Sequence, residues 1–281
     1  MEVDNSNAGQ KGRFYLTKRI WVPQEPIEKF NLKMSDVILR RMPKLPLGGE
    51  DAIKAFPVLT ELNKAHDKIK ADLEYLLSHH EAIPALHEVH PRDLYVAGRA
   101  WRTFVLKIWG HEIKENSAVV PDTYAAISKI PGVHTALFSI LAGGAEIEPH
   151  RGSAAGVIRF HYPLIVPKEP EKCWIEIGGH HFFWKEGEPL VFDDTREHWV
   201  KNQTEETRVV LIIDFNADMP FPVNIYTTLR YHLIRHSTEM KAVRDRAAVD
   251  VPPRTQALER ADGLISGARH MTAPAGVNQR R

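Results

Sequence analysis

The most regular hydrophobic pattern in the chain lies between Ser139 and Asp214. Three short apolar runs rich in β-branched residues, Val157–Val166, Leu190–Phe192 and Val209–Phe215, are set between clusters of Gly, Pro, Asp and Asn. Such runs predict strands joined by tight turns, and several in succession predict a barrel or double-sheet jelly roll. Leu94–Gly110 alternates well enough to be a strand leading into this unit. Helical spacing appears elsewhere. After Pro57, residues Leu59, Leu62, Ile69, Leu73, Leu76 and Leu77 recur on one face with Lys, Asp and Glu between them, and Pro84 lies beyond the end. That pattern predicts a scaffold helix packed on the outside of the sheet. A shorter helix is expected to open at Pro121-Asp122-Thr123, with Asp122 or Thr123 as its cap. A third, from Pro222 to Ala247, would turn Ile225, Leu229, Leu233 and Met240 to one side and leave an Arg- and Lys-rich solvated face.

These elements divide the chain. Residues 1–13 are polar and read as a flexible lead-in. Residues 14–249 read as one catalytic domain with its core at about 94–216, and residues 250–281 as a mostly disordered tail without periodicity. At 281 residues the chain can bury a sizeable core, and no internal repeat is present.

Charge narrows the function. With 37 basic and 36 acidic residues the net charge is +1, so no bulk field selects nucleic-acid polymers or an anionic membrane. The single cysteine, Cys173, excludes an intramolecular disulfide and suits a reducing cytoplasm; it reads as a small buried hydrophobe. No apolar run reaches the length of a membrane span, and the polar first residues do not resemble a signal peptide. The expectation is a cytoplasmic protein without a membrane anchor.

Candidate chemistry sits inside the β unit. His150 closes its first segment and His198 follows the turn Asp193-Asp194-Thr195. Imidazoles at strand ends in the mouth of a small barrel suit iron, zinc or copper. The series Pro149-His150-Arg151-Gly152, Arg159-Phe160-His161, Phe192-Asp193-Asp194 with His198, and then Arg208 resembles the aspartyl/asparaginyl β-hydroxylase family over about Trp101 to Asp214. These are iron(II)- and 2-oxoglutarate-dependent oxygenases on a double-stranded β-helix, the cupin-like jelly roll.

The resemblance implies specific roles. His150 and His198 would hold iron(II). Gly152 stands where related oxygenases carry a carboxylate ligand; glycine cannot ligate, so water or chloride would take the vacant position. Arg208 would anchor the far carboxylate of 2-oxoglutarate through its planar fork. Arg159, His161 and Ser139 would support the cosubstrate and the metal site, with Arg159 and His161 on one side of a strand. Arg151 and Trp199 are candidates for the substrate mouth. Asp193 and Asp194 would either orient a ligand or cap the turn. His134, His180 and His181 have no assigned role, the latter two at a hairpin after Gly178-Gly179. The peptide hydroxylases of the family carry an Arg where this chain has Val157, which shifts the expected substrate to a small, amino-acid-like or carrier-bound molecule. Hydroxylation of an unactivated C–H bond with dioxygen is the leading expectation. A radical halogenase with chloride beside Gly152, and a non-catalytic metabolite-binding jelly roll, are the alternatives.

Overall fold

The computed structural model describes residues 13–15, 20–22, 33–34, 36–38, 40, 45–91, 100–152 and 156–255. The expected lead-in before Arg13, residues 94–99 of the expected first strand, and the expected tail after Thr255 lie outside the described residues. In chain order the elements are β1 (Arg13–Tyr15), β2 (Ile20–Val22), β3 (Leu47–Gly48), α1 (Gly49–Ala55), α2 (Thr60–Lys64), α3 (His66–Leu77), α4 (Leu86–Val89), β4 (Trp101–Ile108) and β5 (His111–Glu112). They continue with α5 (Lys114–Val119), α6 (Pro121–Ser128), β6 (Val133–Leu141), β7 (Glu146–His150), β8 (Val157–Ile165), β9 (Cys173–Ile177) and β10 (His180–Phe183). The last are β11 (Leu190–Asp193), β12 (His198–Asn202), β13 (Arg208–Asn216), α7 (Val223–Arg235) and α8 (Thr238–Ala247).

Two antiparallel sheets make the expected jelly roll. One has seven strands in the order β3-β11-β8-β13-β6-β4-β5, the other four in the order β10-β9-β12-β7. Strand alternation sorts their side chains. Val209, Leu211 and Ile213 of β13, with Phe160, Tyr162 and Leu164 of β8, join the large core beneath the helices. The opposite set faces the smaller sheet: Val210, Ile212, Phe192 and Leu141 meet Ile147, Cys173, Ile175, Ile177 and Val200. Fully burying each such side chain stabilises the fold by about 1.5–3 kcal/mol. Arg208, Ser139, Arg159 and His161 share the register of this second set, so the strand period itself aims them between the sheets.

The helical expectations hold with changes. The stretch after Pro57 is a 3-10 turn, then α2 and α3, broken at Ala65 (φ −102°, ψ 4°). At the break Asn63 and His66 both bind the Tyr162 hydroxyl, at 2.9 and 3.0 Å, which ties the helices to β8. Leu59, Leu62, Ile69, Leu73 and Leu76 are buried as the spacing predicts, and Leu77 is half-buried. Helix α6 begins at Pro121, but neither Asp122 nor Thr123 caps it with its own side chain. Its cap comes from α3: buried Asp72 accepts the Thr123 N–H and hydroxyl at 2.7 and 2.9 Å. Asp72 also pairs with Arg254 at 2.7 Å, so residues 250–255, expected as the start of a disordered tail, are held here.

The C-terminal helix is two helices, with Ser237 accepting the Met240 N–H at the start of α8. Met240 is buried, but Ile225, Leu229 and Leu233 of α7 face solvent, contrary to the expected inward apolar face. The inward face is polar-aromatic. Tyr231 and Arg235 both donate to the Trp109 carbonyl, and a Cβ on Gly110 (φ +78°) would lie 1.8 Å from Arg235 Nη1. The helix therefore sits directly on the β4–β5 turn, which only glycine fits. Among the described residues no helix is long and apolar enough to cross a membrane.

Candidate active site

The smaller sheet brings the two predicted histidines together. His150 ends β7, His198 begins β12, and the two are cross-strand partners with ring centroids 4.2 Å apart. Each is oriented by the same local device: Nδ1 of His150 lies 2.8 Å from the Glu148 carbonyl, and Nδ1 of His198 lies 2.8 Å from the Arg196 carbonyl. A carbonyl can only accept, so both Nδ1 atoms carry the proton and both lone pairs reside on Nε2. Backbone anchoring of this kind is usual for metal-ligating histidines. Burial pushes the His198 pKa well below the ordinary imidazole range, with His150 adding to the shift, which keeps the ring neutral as a ligand requires.

Among the described residues no group of three His, Cys, Asp or Glu side chains could hold a metal ion. At Gly152 the position is occupied from elsewhere: a Cβ there would lie 1.8 Å from Asp194 Oδ2. Asp194 is positioned by its backbone, whose carbonyl accepts the Gly152 N–H at 2.7 Å, and by the Arg159 guanidinium 2.5 Å from Oδ1. Its Oδ1 stands 3.8 Å from His198 Nε2. Burial raises the pKa of this carboxyl, opposed by Arg159 and reinforced by Asp214 and Asp193. The two aspartates divide the roles left open by the sequence. Asp193 accepts the Thr195 N–H and hydroxyl at 2.9 and 2.7 Å and so caps the turn, while Asp194 lines the site.

Arg208 is the largest fully buried side chain among the described residues. It has no carboxylate partner: Nη1 donates to Ser139 O and Oγ at 3.3 and 3.1 Å, its Cζ lies 4.8 Å from the Trp184 ring centre, and Nε is buried without a partner among the described residues. Burial pulls its pKa down to about 10, which leaves it cationic at neutral pH. A buried, uncompensated guanidinium is costly unless an anion completes it. The Ser139 hydroxyl is equally suggestive. It accepts from Arg208 and from Trp101 Nε1 (2.9 Å), which fills both lone pairs and leaves its own O–H to donate elsewhere. His161 Nδ1 and Trp184 Nε1 are likewise buried without partners, and the two rings stack at 6.1 Å. Phe192 stands between the two halves, 5.0 Å from His161 and 5.1 Å from His198. This donor set, two carbonyl-anchored imidazoles beside a buried guanidinium, fits iron(II) and a dicarboxylate.

Arg159 is placed differently from a direct cosubstrate ligand. Its Nε and Nη2 hold Asp214 at 2.8 Å each and its Nη1 holds Asp194, so it supports the site through the carboxylates. Trp199 does not join the cluster. It follows an inward-facing histidine on a strand, so it lies on the outer face of the sheet, edge-on to Trp174 at 4.6 Å. Arg151 is exposed at the rim, in a cleft shared with Arg40, Glu176, Arg196 and Glu197. His181 also lies on the outer face, stacked 4.0 Å from Trp174, and His134 stacks on Trp109 at 5.1 Å, both apart from the site. Cys173 is buried and its thiol pKa is pushed up to about 11, as a core residue's would be. Asp194 and Trp184 are the residues whose importance the sequence left undecided or unseen; turn chemistry masked the first, and no spacing points to the second.

Comparisons with known proteins agree with this geometry. A family model described as Aspartyl/Asparaginyl beta-hydroxylase matches residues 63–218. An ornithine lipid ester-linked acyl 2-hydroxylase of Rhizobium tropici is 37% identical over 168 residues, covering 59% of this chain and 60% of that protein. The human aspartyl/asparaginyl beta-hydroxylase is 29% identical over 119 residues, 41% of this chain and 15% of that protein. The chain thus spans less than two thirds of the length of either relative. Among solved structures, a Pseudomonas putida prolyl-4-hydroxylase covers 55% of this chain and 88% of its own at 16% identity and a TM-score of 0.35, a distance at which likeness says nothing about function. The match to the family model over more than half of the chain establishes that this protein belongs to the aspartyl/asparaginyl β-hydroxylase family.

Proposed function

We propose that this protein is an iron(II)- and 2-oxoglutarate-dependent hydroxylase whose substrate is an acyl chain carried on a lipid. The observation that carries the cofactor reading is Arg208: a buried guanidinium with no counter-ion, beside a hydroxyl with an undirected proton, is built to receive a carboxylate. His150 and His198 would hold the iron, and Arg208 with Ser139 the far carboxylate of 2-oxoglutarate. When bound, that pair supplies the activation of dioxygen that hydroxylates a C–H bond and releases succinate and carbon dioxide. The chain's own contribution is placement. Trp184, Phe192 and Trp101 keep water from the cosubstrate pocket, and the carbonyl-anchored Nδ1 protons keep both imidazoles in the ligating tautomer.

The acyl-lipid substrate rests on the relative of Rhizobium tropici, named for 2-hydroxylation of an ester-linked acyl chain, and on Val157, where the resemblance leads one to expect Arg in the peptide hydroxylases. Halogenation is the second reading, favoured by Gly152. Against it stands the Asp194 carboxyl, whose Oδ2 points into the same position: it crowds the space that chloride would need, whereas water can hydrogen-bond to it. The test is anaerobic titration with iron(II) and 2-oxoglutarate, followed by the visible charge-transfer band of the chelate, with and without chloride. The band is expected in the wild type and absent from His150→Ala and His198→Ala; its absence from the wild type overturns the cofactor reading. A band that shifts with chloride would favour halogenation, and one indifferent to chloride supports hydroxylation.

A further inference from the structure

Helix α7 turns its greasy side outward. Phe221 just before it and Ile225, Leu229 and Leu233 along it are 78%, 57%, 57% and 66% exposed, and they recur every fourth residue. They are four of the six exposed large hydrophobic side chains among the described residues. Isolated exposed leucines are ordinary, but an aligned row on one helix is a contact surface. This row is fixed, because Tyr231 and Arg235 hold the helix to the Trp109 carbonyl from the other side.

Its position relates it to the active site. Gly156, at the start of β8, lies against this helix: a Cβ there would meet Thr227 Cγ2 at 3.2 Å and Ile38 Cγ2 at 3.9 Å. Ile38 is two residues from Arg40, and Arg40 shares the cleft beside the histidine pair with Arg151 and Arg196. Arg151 directly follows the ligand His150, and the Arg196 carbonyl orients His198. Three guanidinium groups therefore surround the rim. Two carboxylates, Glu176 and Glu197, line the same cleft, Glu176 paired with the His181 ring at 3.1 Å, so the three guanidinium groups leave the rim net positive by one charge. The inner side of α7, through Thr227, thus packs on the segment of chain that carries Arg40 to the rim, while the apolar row stays on the helix's outer side.

We infer that α7 and the Arg40–Arg151–Arg196 rim dock this protein on the surface of a bilayer containing anionic lipids. The inference rests on the lipid-substrate reading and names the surface from which that substrate is taken. An amphipathic helix lying in the interface buries its apolar face at the headgroup boundary, while basic side chains meet anionic headgroups. A second copy of the chain fits less well. One row of four side chains falls well short of the ~800 Å² per partner that a stable protein interface buries.

The test is co-sedimentation of the iron(II)- and 2-oxoglutarate-loaded protein with two kinds of vesicle, phosphatidylcholine alone and phosphatidylcholine mixed with phosphatidylglycerol. The wild type is expected to sediment with the mixed vesicles and much less with the neutral ones. Leu229→Gln combined with Leu233→Gln is expected to weaken binding at least about tenfold without changing the melting temperature, because the replaced side chains are already in water. Arg151→Gln is expected to weaken binding to the mixed vesicles alone. Wild type that stays in the supernatant with both vesicles overturns the inference. So does a wild-type dimer that the double substitution converts to monomer without altering sedimentation. Hydroxylation of an acyl lipid dispersed in detergent is read separately. Turnover there without vesicle binding overturns the docking surface alone, and vesicle binding without turnover overturns the substrate reading alone.

Discussion

Arg208 shows how function and stability are set against each other at one residue. Its charge is buried without a counter-ion, so Arg208→Met should leave the cosubstrate-free protein as stable as the wild type or more so. The same change should raise the half-saturating concentration of 2-oxoglutarate by about a hundredfold, since charge-assisted hydrogen bonds to a carboxylate contribute roughly 1.5–3 kcal/mol each. Thermal melts with and without 2-oxoglutarate check both halves; a variant that still gains stability from the cosubstrate would remove Arg208 from the proposed pocket. His134 makes a separate prediction about pH. Burial lowers its pKa from 6.5 to about 4. Between these values the unfolded chain takes up a proton that the folded one refuses, so the contribution to stability is full above pH 6.5 and is lost as pH falls toward 4. His134→Phe keeps a ring against Trp109 and removes the titration. From pH 7 to pH 5 the wild type should therefore lose about 2 kcal/mol more than the variant in urea unfolding. Equal losses would show that His134 does not carry this limb.

At the scale of elements, the site depends on strand ends and helix ends placed by distant parts of the chain. The pairing of β7 with β12 sets His150 opposite His198, and β13 between β6 and β8 delivers Arg208 beside Ser139. The helices that back this sheet are locked through Asp72, whose carboxylate receives Thr123 twice and Arg254 once. Asp72→Ala should cost about 3 kcal/mol, because three donors lose their acceptor and one is charged. Chemical denaturation measures it, and a loss within experimental scatter would mean that water replaces the carboxylate without penalty. Much at this scale was legible beforehand. Short apolar runs rich in β-branched residues announced β8, β11 and β13, and leucine spacing announced α2 and α3 as one helix. The break at Ala65 and the borrowed cap on α6 were not legible, because both depend on side chains from other elements, Tyr162 and Asp72.

For the whole molecule, the two sheets face each other across the proposed cofactor site, and helices back the far face of the larger sheet. The catalytic reading belongs to the space between the sheets, and the lipid-surface reading to α7 at its edge. The outward row on α7 misled the pattern of apolar positions. A hydrophobic stripe at helical spacing specifies an amphipathic helix, but which side is buried is decided by what the rest of the fold presents. Here Trp109, Gly110 and Ile38 present partners for Tyr231, Arg235 and Thr227 instead.

By itself the sequence determined the family and the strand-rich core, and it singled out His150, His198, Arg208 and Ser139 as candidates, since these are carried by local periodicity and by the order of short motifs. Tertiary structure alone decided which of the neighbouring residues share the site. It turned Trp199 to the outer face by strand alternation, set Asp194 into the position Gly152 leaves open, tied Arg159 to two carboxylates and closed Trp184 over Arg208. The physical reason is the same in each case. Facing direction, burial and partnership are properties of contacts between segments distant in sequence, and no local pattern encodes them.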